Sequence, residues 1–314
     1  MCTAISMRGA HHIFGRTLDL ERSYGEQIAI TPKNAPLRFL REGVLESHVP
    51  FVGVSCVREG TALYYDAISA AGLAMAALNF PESAVYHAPK EGFYNVASFE
   101  LIPFILGRSR TMEEALSLLS RCNVTSDAFC ADLPPSPLHW LLCDADRSVV
   151  VESVVEGLHV YDNPFGVLAN EPPFPHHVAR ARELLHLSPV MPHNTLAPDV
   201  KLAPLSRGVG AMGLPGDFSS SSRFLRALFA AAHTESGGTE RDEVARFFHV
   251  AGTVSVPRGC VRAEDGSSVC TVYTACGCTD TRTYYVSTYA RREVRAVTLD
   301  GIPEAERGIV TFPL

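Results

Sequence analysis

Short apolar runs separated by turn-forming residues dominate the first eighty positions of the chain. Runs of this length, bounded by glycine, proline or polar residues, are typical of β-strands. They predict strands over residues 2–7, 11–20, 27–31, 51–57, 62–69 and 73–79. Glu59 with Gly60, and Ala71 with Gly72, mark the turns between the last three runs. The opening of the chain therefore predicts antiparallel strands.

The hydrophobic period changes after residue 96, where helical and strand patterns follow each other in blocks. The patterns predict helices over 97–106, 112–120, 178–187, 223–233 and 240–251, and strands over 138–143, 148–155, 167–170, 269–275, 283–289 and 294–299. Thr111 followed by Glu114 is a capping-box signature, and serines 219–222 are suited to cap the helix that follows them. Residues 188–217 are rich in proline and glycine and predict a long loop.

Strands, helices, strands, helices and strands follow each other in that order. This order predicts an α+β fold of layered antiparallel sheets rather than alternating βαβ units. No internal repeat, low-complexity run or linker divides the sequence. We therefore expect one domain over residues 1–314.

Composition narrows the class of protein. Hydrophobic residues make up 46% of the chain and charged residues 19%, which indicates a folded protein with a large core. The net charge is −7, from 27 basic and 34 acidic residues, and this balance argues against nucleic acid as a partner. An anionic substrate would therefore have to be bound by local arginines.

The N-terminal residues show no basic stretch followed by a long apolar segment, so no secretory signal is predicted. The most apolar window, residues 67–80, is too short to span a bilayer. We expect a cytoplasmic protein that does not associate with membranes.

Nine cysteines, an odd number, argue against a disulfide framework in a reducing compartment. Cys270, Cys276 and Cys278 lack the paired spacing of a zinc site, and the adjacent His176 and His177 would point apart on a helix. We expect no metal and no other cofactor.

Cys2 is the candidate nucleophile. Removal of Met1 would leave Cys2 with both a thiol and a free α-amino group. An α-amino group titrates near pH 8, so it can accept the thiol proton and later donate a proton to a leaving amine. A second-position cysteine is by itself a weak signal, and its neighbours decide its weight.

Arg16 and Asp19 lie on the predicted strand next to Cys2. A guanidinium near the thiol would favour the thiolate, and a carboxylate would hold the ammonium form of the amine. Residues three apart on a regular strand face opposite sides. Both can therefore reach Cys2 only if a bulge or the strand end lies between them.

Seven segments, in order along nearly the whole chain, carry a resemblance to one family. They are Met-Cys-Thr-Ala-Ile at 1–5, Phe-Gly-Arg-Thr-Leu-Asp at 14–19, Gly-Leu-Ala-Met-Ala-Ala-Leu-Asn-Phe-Pro at 72–81, Val-Leu-Ala-Asn-Glu-Pro at 167–172, Gly-Leu-Pro-Gly-Asp at 213–217, Ser-Ser-Arg-Phe at 221–224 and Thr-Tyr-Tyr-Val-Ser-Thr-Tyr at 283–289. The chain resembles the choloylglycine hydrolases, N-terminal-nucleophile hydrolases that include bile salt hydrolases and penicillin V acylases. The resemblance implies a four-layer αββα sandwich, with two antiparallel sheets between helical layers, and a homotetramer.

The resemblance also implies roles for individual residues. Cys2 would be the nucleophile and Arg16 and Asp19 its polar neighbours, while the Asn170 side chain and the Asn79 backbone N–H would bind the oxyanion. Arg223 would complete the polar network. Without the resemblance, both asparagines would be ordinary turn residues. An arginine in the first turn of a helix opposes the helix dipole, which hints at another task for Arg223.

Asn79 also bears on the substrate, because asparagine here resembles the bile salt branch, whereas the penicillin branch usually has tyrosine. By the same resemblance Leu20 and Tyr24 would line the pocket for a steroid acyl group, and residues 128–137 and 206–215 would form its rim. Glycine- or taurine-conjugated bile acids are the expected substrates. The alternatives are penicillin V or N-acyl homoserine lactones as substrates, or a non-catalytic or metal-binding relative.

The mature protein should begin at Cys2, because residue 2 is small and the proposed base is its own amine. Intact-mass measurement should show a chain that lacks Met1. A fully active preparation that retains Met1 would contradict this mechanism.

Overall fold

A computed structural model describes residues 1–303 and 305–314 of the chain. Within them lie twenty strands and five α-helices. The strands, in chain order, are β1 Cys2–Met7, β2 Ile13–Leu20, β3 Glu26–Thr31, β4 Leu37–Phe39, β5 Gly43–Leu45, β6 Phe51–Arg58, β7 Thr61–Tyr64, β8 Asp66–Ser69, β9 Ala74–Asn79, β10 Tyr94–Ala97, β11 Cys122–Thr125, β12 Leu138–Cys143, β13 Ser148–Val154, β14 Gly157–Asp162, β15 Val167–Leu168, β16 Val261–Arg262, β17 Ser268–Cys278, β18 Thr283–Thr288, β19 Arg295–Thr298 and β20 Val310–Pro313. The helices are α1 Leu101–Arg108, α2 Met112–Leu119, α3 Phe174–Arg182, α4 Ser220–His233 and α5 Glu240–Gly252.

Two large antiparallel sheets form the centre of the molecule. The first has the order β15–β1–β2–β17–β18–β19, with β16 beside β17. The second has the order β14–β13–β12–β9–β8–β6–β3–β20, with β7 beside β6. In each sheet, strands from the beginning of the chain pair with strands from its second half, so neither sheet can close until most of the chain is present.

The sheets stack face to face and each is covered by helices on its outer side. Strands β1 and β2 pack against β8 and β9 across the interface. Helices α4 and α5 lie on the first sheet, and α1 lies on the second. Helix α2 packs beside α1 and adds side chains to the same hydrophobic cluster. The layer order is therefore αββα, which confirms the predicted fold.

Gly277 on β17 faces Ile68 on β8 across the interface between the two sheets. A Cβ atom at position 277 would lie 2.6 Å from side-chain carbons of Ile68. Ile68 is fully buried. Glycine is therefore required here by packing between sheets, and not by backbone conformation.

The prediction of one continuous strand over residues 62–69 is wrong. The run 62–69 breaks at Tyr65 into β7 and β8. At the break the Tyr65 carbonyl accepts hydrogen bonds from the Ala77 amide and from Arg16. The break thus supplies a backbone acceptor inside the molecule, which strand periodicity alone does not reveal.

Three predicted helices differ at their first residues. The helix predicted over 97–106 begins at Leu101, because Ala97 ends β10, which pairs in parallel with β11. The helix predicted over 178–187 begins at the buried Phe174, and Pro175 in its first turn suits a helix start because its missing N–H would have no partner there. Helix α4 begins at Ser220, and the side chain of its N-cap residue, Ser219, makes no capping bond.

Asp217 takes over the expected capping role of the serines. Its carboxylate accepts hydrogen bonds from the Ser219 amide at 2.9 Å and from the Ser222 hydroxyl at 2.6 Å. These bonds lower the pKa of Asp217. Thr111, in contrast, caps α2 as predicted, because its hydroxyl accepts from the Glu114 amide.

His12 is buried at the turn between β1 and β2, where both ring nitrogens lie 2.9 Å from hydroxyls, those of Ser6 and Thr279. Burial lowers the pKa of His12 to about 4, from an ordinary value of 6.5. Between these two pH values the unfolded chain binds a proton at His12 that the folded chain does not. Stability must therefore fall as the pH drops through this window.

His12→Asn should make the free energy of unfolding less sensitive to pH between 6.5 and 4. The slope should decrease by up to about 1.4 kcal/mol per pH unit, the value of one proton. Urea denaturation at several pH values measures this slope. Equal slopes for both proteins would contradict a neutral, buried His12.

Candidate active site

Cys2 is the first residue of β1 and is 3% exposed. Its backbone N–H donates a 2.8 Å hydrogen bond to Oδ1 of Asn170. With Met1 in place, the free ammonium belongs to Met1 and donates to the Asp19 carbonyl at 2.7 Å. The start of the chain is thus anchored between the first sheet and the segment that carries Asn170.

Arg16 lies on the face of the first sheet that looks toward the second sheet. It is fully buried, and its Nη1 donates to the carbonyls of Tyr65 and Ala77. Burial alone would lower the pKa of Arg16, but the negative charges that Cys2 and Asp66 can carry raise it. A fixed positive charge therefore stands beside the thiol.

Asp66 is the buried acid that offsets Arg16 from the opposite sheet. Its carboxylate accepts hydrogen bonds from the hydroxyls of Tyr273, at 2.8 Å, and Tyr284. Burial raises the pKa of Asp66, and Arg16 opposes that rise. The positive charge at the thiol is thus part of a small polar cluster enclosed between two apolar sheets.

Asp19 lies on the other face of the same strand. Its carboxylate accepts from the hydroxyls of Thr271, at 2.6 Å, and Thr17, at 3.3 Å. Burial raises the pKa of the Asp19 carboxyl, although Arg223 and the Thr271 hydroxyl oppose the rise. The Asp19 side chain therefore lies on the strand face opposite to the thiol, where the charge of the chain terminus acts on it.

The strand end, and not a bulge in β2, brings both Arg16 and Asp19 close to Cys2. Cys2 pairs with Leu18, so its side chain shares the face of Leu18 and Arg16. A bulge does occur opposite Asp19, but it lies in β17, between Thr271 and Tyr273. Because Cys2 begins β1, residues on both faces of β2 approach it: Arg16 on the thiol side and Asp19 at the backbone end.

Asn170 makes five hydrogen bonds that fix its backbone and its amide. Oδ1 accepts from the Cys2 amide and, at 2.7 Å, from Nη2 of Arg223, while Nδ2 donates to the Asn79 carbonyl at 2.7 Å. Its backbone N–H donates to Ser220 and its carbonyl faces Nε2 of His177. With Oδ1 accepting two bonds, Nδ2 must point toward β9, and it retains a second N–H.

Arg223 is 1% exposed and reaches from the first turn of α4 to the start of β1. Its Nη1 donates to the Cys2 carbonyl and, at 2.7 Å, to Oγ1 of Thr3. Burial lowers the pKa of Arg223, and the charges of Asp19 and Cys2 oppose that effect. Because its Nη2 also donates to Asn170, this arginine joins the candidate nucleophile to Asn170 through two hydrogen bonds.

Asn79 ends β9 and is exposed, in contrast to the rest of that strand. The next residues are tied to the Asn170 segment by Glu171, whose carboxylate accepts from the amides of Glu82 and Ser83. The two segments that carry the candidate oxyanion donors are thus linked directly to each other.

A cavity of about 430 Å³ opens beside Cys2 between the sheet ends and the loop before β12. Its described lining residues are Cys2, Arg16, Leu18, Leu20, Tyr24, Cys56, Arg58, Leu63, Tyr64, Tyr65, Ala77, Asn79, Phe99, Phe129, Leu133, Pro134, Ser136 and Leu138. The lining is mainly apolar, and its charged residues are arginines. Leu20, Tyr24 and Asn79, for which the sequence predicted contacts with substrate, all line this cavity.

The predicted rim is only half present at this cavity. Residues 128–137 contribute Phe129, Leu133, Pro134 and Ser136. The other segment, 206–215, supplies none of the described lining residues. It packs instead near the C-terminal end of α3, where the Gly210 carbonyl accepts from the Ser188 amide.

Possible metal ligands lie elsewhere. Among the described residues, one group of three, His11, Cys278 and Asp280, has donor atoms within 4.8 Å of one another. It sits at the opposite end of β2 from the Cys2 pairing. Cys278 is fully buried, and burial raises the pKa of its thiol, which disfavours the thiolate that a metal requires. Cys270 and Cys276 are outside this group.

The chain matches the linear amide C–N hydrolases of the choloylglycine hydrolase family over residues 2–303. The chain belongs to this family. It is therefore an amide-hydrolysing enzyme, as the thiol, the arginine and the paired asparagines indicate.

Similar proteins cover the chain from end to end. A bile salt hydrolase/transferase of Lactiplantibacillus plantarum is 38% identical, over 100% of this chain and 97% of its own length. A conjugated bile acid hydrolase of Lactobacillus acidophilus is 32% identical, over 99% of this chain and 100% of its own. The crystal structure of a mutant conjugated bile acid hydrolase from Clostridium perfringens superposes with a TM-score of 0.92 at 28% identity, over 100% of this chain and 97% of that one.

Several residues of the site were not predicted from the sequence. The hydroxyls of Thr17 and Thr271 donate to Asp19, and that of Thr3 accepts from Arg223. Ser220 and His177 hold the backbone of Asn170. Thr3 on β1 and Thr17 on β2 are cross-strand partners, and both are buried. A polar residue inside an apolar strand was a usable signal, because buried polar groups need hydrogen-bond partners. The backbone acceptors have no sequence signal.

None of the helices in the described part of the chain has the length and apolar character of a membrane-spanning segment.

Arg223→Met should reduce kcat for amide hydrolysis by about 10²-fold, because a small displacement of Asn170 or Cys2 misaligns the reacting groups. The matched control is Arg226→Met, one turn further along α4. Arg226 donates to the carbonyls of Pro215, Asp217 and Thr253, away from Cys2. Steady-state kinetics measures kcat for both variants. Equal losses of kcat would show that the effect is general destabilisation of the helix.

Proposed function

We propose that this enzyme hydrolyses conjugated bile acids, cleaving the amide bond between the steroid acyl group and glycine or taurine. One observation carries the proposal: the candidate nucleophile, Cys2, lines a large, mainly apolar cavity whose charged lining residues are Arg16 and Arg58. Such a cavity suits an acyl group that is bulky and apolar within a substrate that is anionic. The full-length similarity to bile acid hydrolases supports the same substrate class.

In the proposed reaction the Cys2 sulfur attacks the amide carbonyl carbon. The α-amine freed by loss of Met1 accepts the thiol proton and passes a proton to the departing nitrogen. The C–N bond breaks and a thioester forms. A water molecule, deprotonated by the same amine, then cleaves the thioester and releases the bile acid.

In this proposal Nδ2 of Asn170 and the backbone N–H of Asn79 donate hydrogen bonds to the negatively charged oxygen of the tetrahedral intermediate. The bonds that Asn170 makes through Oδ1 hold Nδ2 on the side of β9. Preorganised donors of this kind are worth about 10²–10³ in rate each. The roles of Arg16 beside the thiol, and of Asp19 and Arg223 behind the Cys2 backbone, complete the catalytic set.

We further propose that the chain works as a single domain in a cytoplasmic homotetramer and needs no cofactor. The thiol chemistry supports the absence of a cofactor, since nucleophile, base and oxyanion donors are all supplied by the protein. Sedimentation of the purified enzyme would test the tetramer directly.

Purified enzyme should release glycine from glycocholate and taurine from taurocholate, and Cys2→Ala should release neither. Release is quantified with an amine-specific reagent, and penicillin V is assayed in parallel. Cys56→Ala is a matched control, because Cys56 also lines the cavity and should be dispensable.

Hydrolysis of penicillin V alone would retain the mechanism and overturn the bile acid assignment. Failure on all three substrates, with Met1 absent by intact mass, would overturn the assignment as well. Full activity of Cys2→Ala would exclude the thiol mechanism.

A further inference from the structure

A histidine and a glutamate are completely buried behind the two candidate oxyanion residues. His139 on β12 is paired with Glu152 on β13, and both side chains are 0% exposed. His139 Nδ1 lies 3.1 Å from Glu152 Oε1. Neither residue lines the substrate cavity. Burying two ionisable groups costs free energy unless they are paired, so the presence of this buried pair indicates a specific role.

The histidine ring contacts both oxyanion segments at once. Its face stacks on Phe80, directly after Asn79, with ring centroids 4.3 Å apart and planes 6° from parallel. Its edge places Nε2 2.8 Å from the carbonyl of Ala169, directly before Asn170. Because a carbonyl only accepts, Nε2 carries a proton and donates it. One rigid ring therefore spans the two segments.

The glutamate secures the far side of the Asn170 segment. Its Oε1 also accepts a 3.0 Å hydrogen bond from the Phe174 amide, at the start of α3. On the same helix, His177 Nε2 donates to the Asn170 carbonyl at 2.9 Å. Burial lowers the pKa of His177 to about 4, so this ring remains a neutral donor at ordinary pH. Residues on both sides of Asn170 are thus held by buried polar groups.

We propose that the His139–Glu152 pair is a positioning unit that fixes Asn79 and Asn170 relative to each other and so sets the rate of acyl transfer. The proposal rests on the oxyanion roles given above. The pair touches neither Cys2 nor the cavity, so it acts through the backbone of its neighbours. Removing it should impair stabilisation of the transition state while leaving substrate binding and the nucleophile intact.

The central test is His139→Asn, which shortens the side chain and loses both the stack on Phe80 and the bond to Ala169. We expect kcat for glycocholate to fall by about 10- to 100-fold, since a displacement near 1 Å can cost 10²-fold. KM should change by less than about twofold, as expected when an interaction made only in the transition state is lost. Alkylation of Cys2 by iodoacetamide needs no oxyanion site, so its rate should be unchanged.

Two controls separate positioning from general damage. His12→Asn makes the same substitution at another buried histidine. His12 lies beside the end of β2 that is opposite to the Cys2 pairing, so this variant should leave kcat unchanged. Glu152→Gln keeps the shape and an acceptor oxygen and should retain most of kcat, whereas Glu152→Ala should lose as much as His139→Asn. Equal losses in kcat and in alkylation rate would overturn the proposal in favour of a purely structural role.

A second variant covers failure of His139→Asn to fold. Phe80→Leu removes the ring contact and leaves both hydrogen bonds of His139 in place, so kcat should fall less steeply, again with KM unchanged. Wild-type kcat in Phe80→Leu would contradict the bridging role of the ring.

Crystal structures of the wild type and a folded variant provide a readout that does not depend on the substrate. The distance from Asn170 Nδ2 to the Asn79 carbonyl, 2.7 Å here, should lengthen in the variant. An unchanged distance would overturn the positioning role. Wild-type inactivity on bile conjugates would instead refute the proposed function and leave this structural comparison decisive for the pair.

Discussion

The buried guanidinium of Arg223 joins three parts of the molecule that are far apart in the sequence. It is held by α4, it donates to the Cys2 carbonyl, and it donates to Asn170 Oδ1. A guanidinium offers several N–H groups in a fixed plane, which an ammonium cannot do. The orientation of the Asn170 amide follows from this constraint, because both bonds to Oδ1 leave Nδ2 on the side of Asn79.

The end of a strand gives Cys2 neighbours of both kinds. A residue in the middle of β1 would meet only one face of β2. At the first position, the thiol meets the face of Arg16, while the backbone is reached by groups near Asp19. The positive charge that favours a thiolate and the acid near the chain terminus can therefore belong to one strand without neutralising each other by direct contact.

The charged groups of the site are enclosed between apolar layers, so each of them needs a partner of opposite charge. Arg16 is compensated by Asp66 from the opposite sheet, Asp19 by Arg223, and His139 by Glu152. Unpaired, any of these groups would carry a large desolvation cost. The chain is acidic overall, yet the charged residues that line its cavity are arginines, so the local arrangement and not the net charge decides what the site can bind.

Patterns along the chain were sufficient to predict much of this protein. Apolar periodicity predicted most strands and helices of the two sheets and their covering layers, since burial of one face imposes a period on the residues. The motifs around Cys2, Arg16 and Asn170 indicated an N-terminal nucleophile and its family. Leu20 and Tyr24 were predicted at a pocket that the structure contains.

Other features depend on contacts between residues that are distant in sequence, and only the tertiary structure decided them. The break at Tyr65, which supplies a carbonyl to Arg16, and the separation of Arg16 and Asp19 onto two faces follow from strand pairing. The place of His139 between the two asparagine segments follows from the register of β9, β12 and β13. Local sequence sets which residues are buried, but the register of the strands sets which buried groups meet.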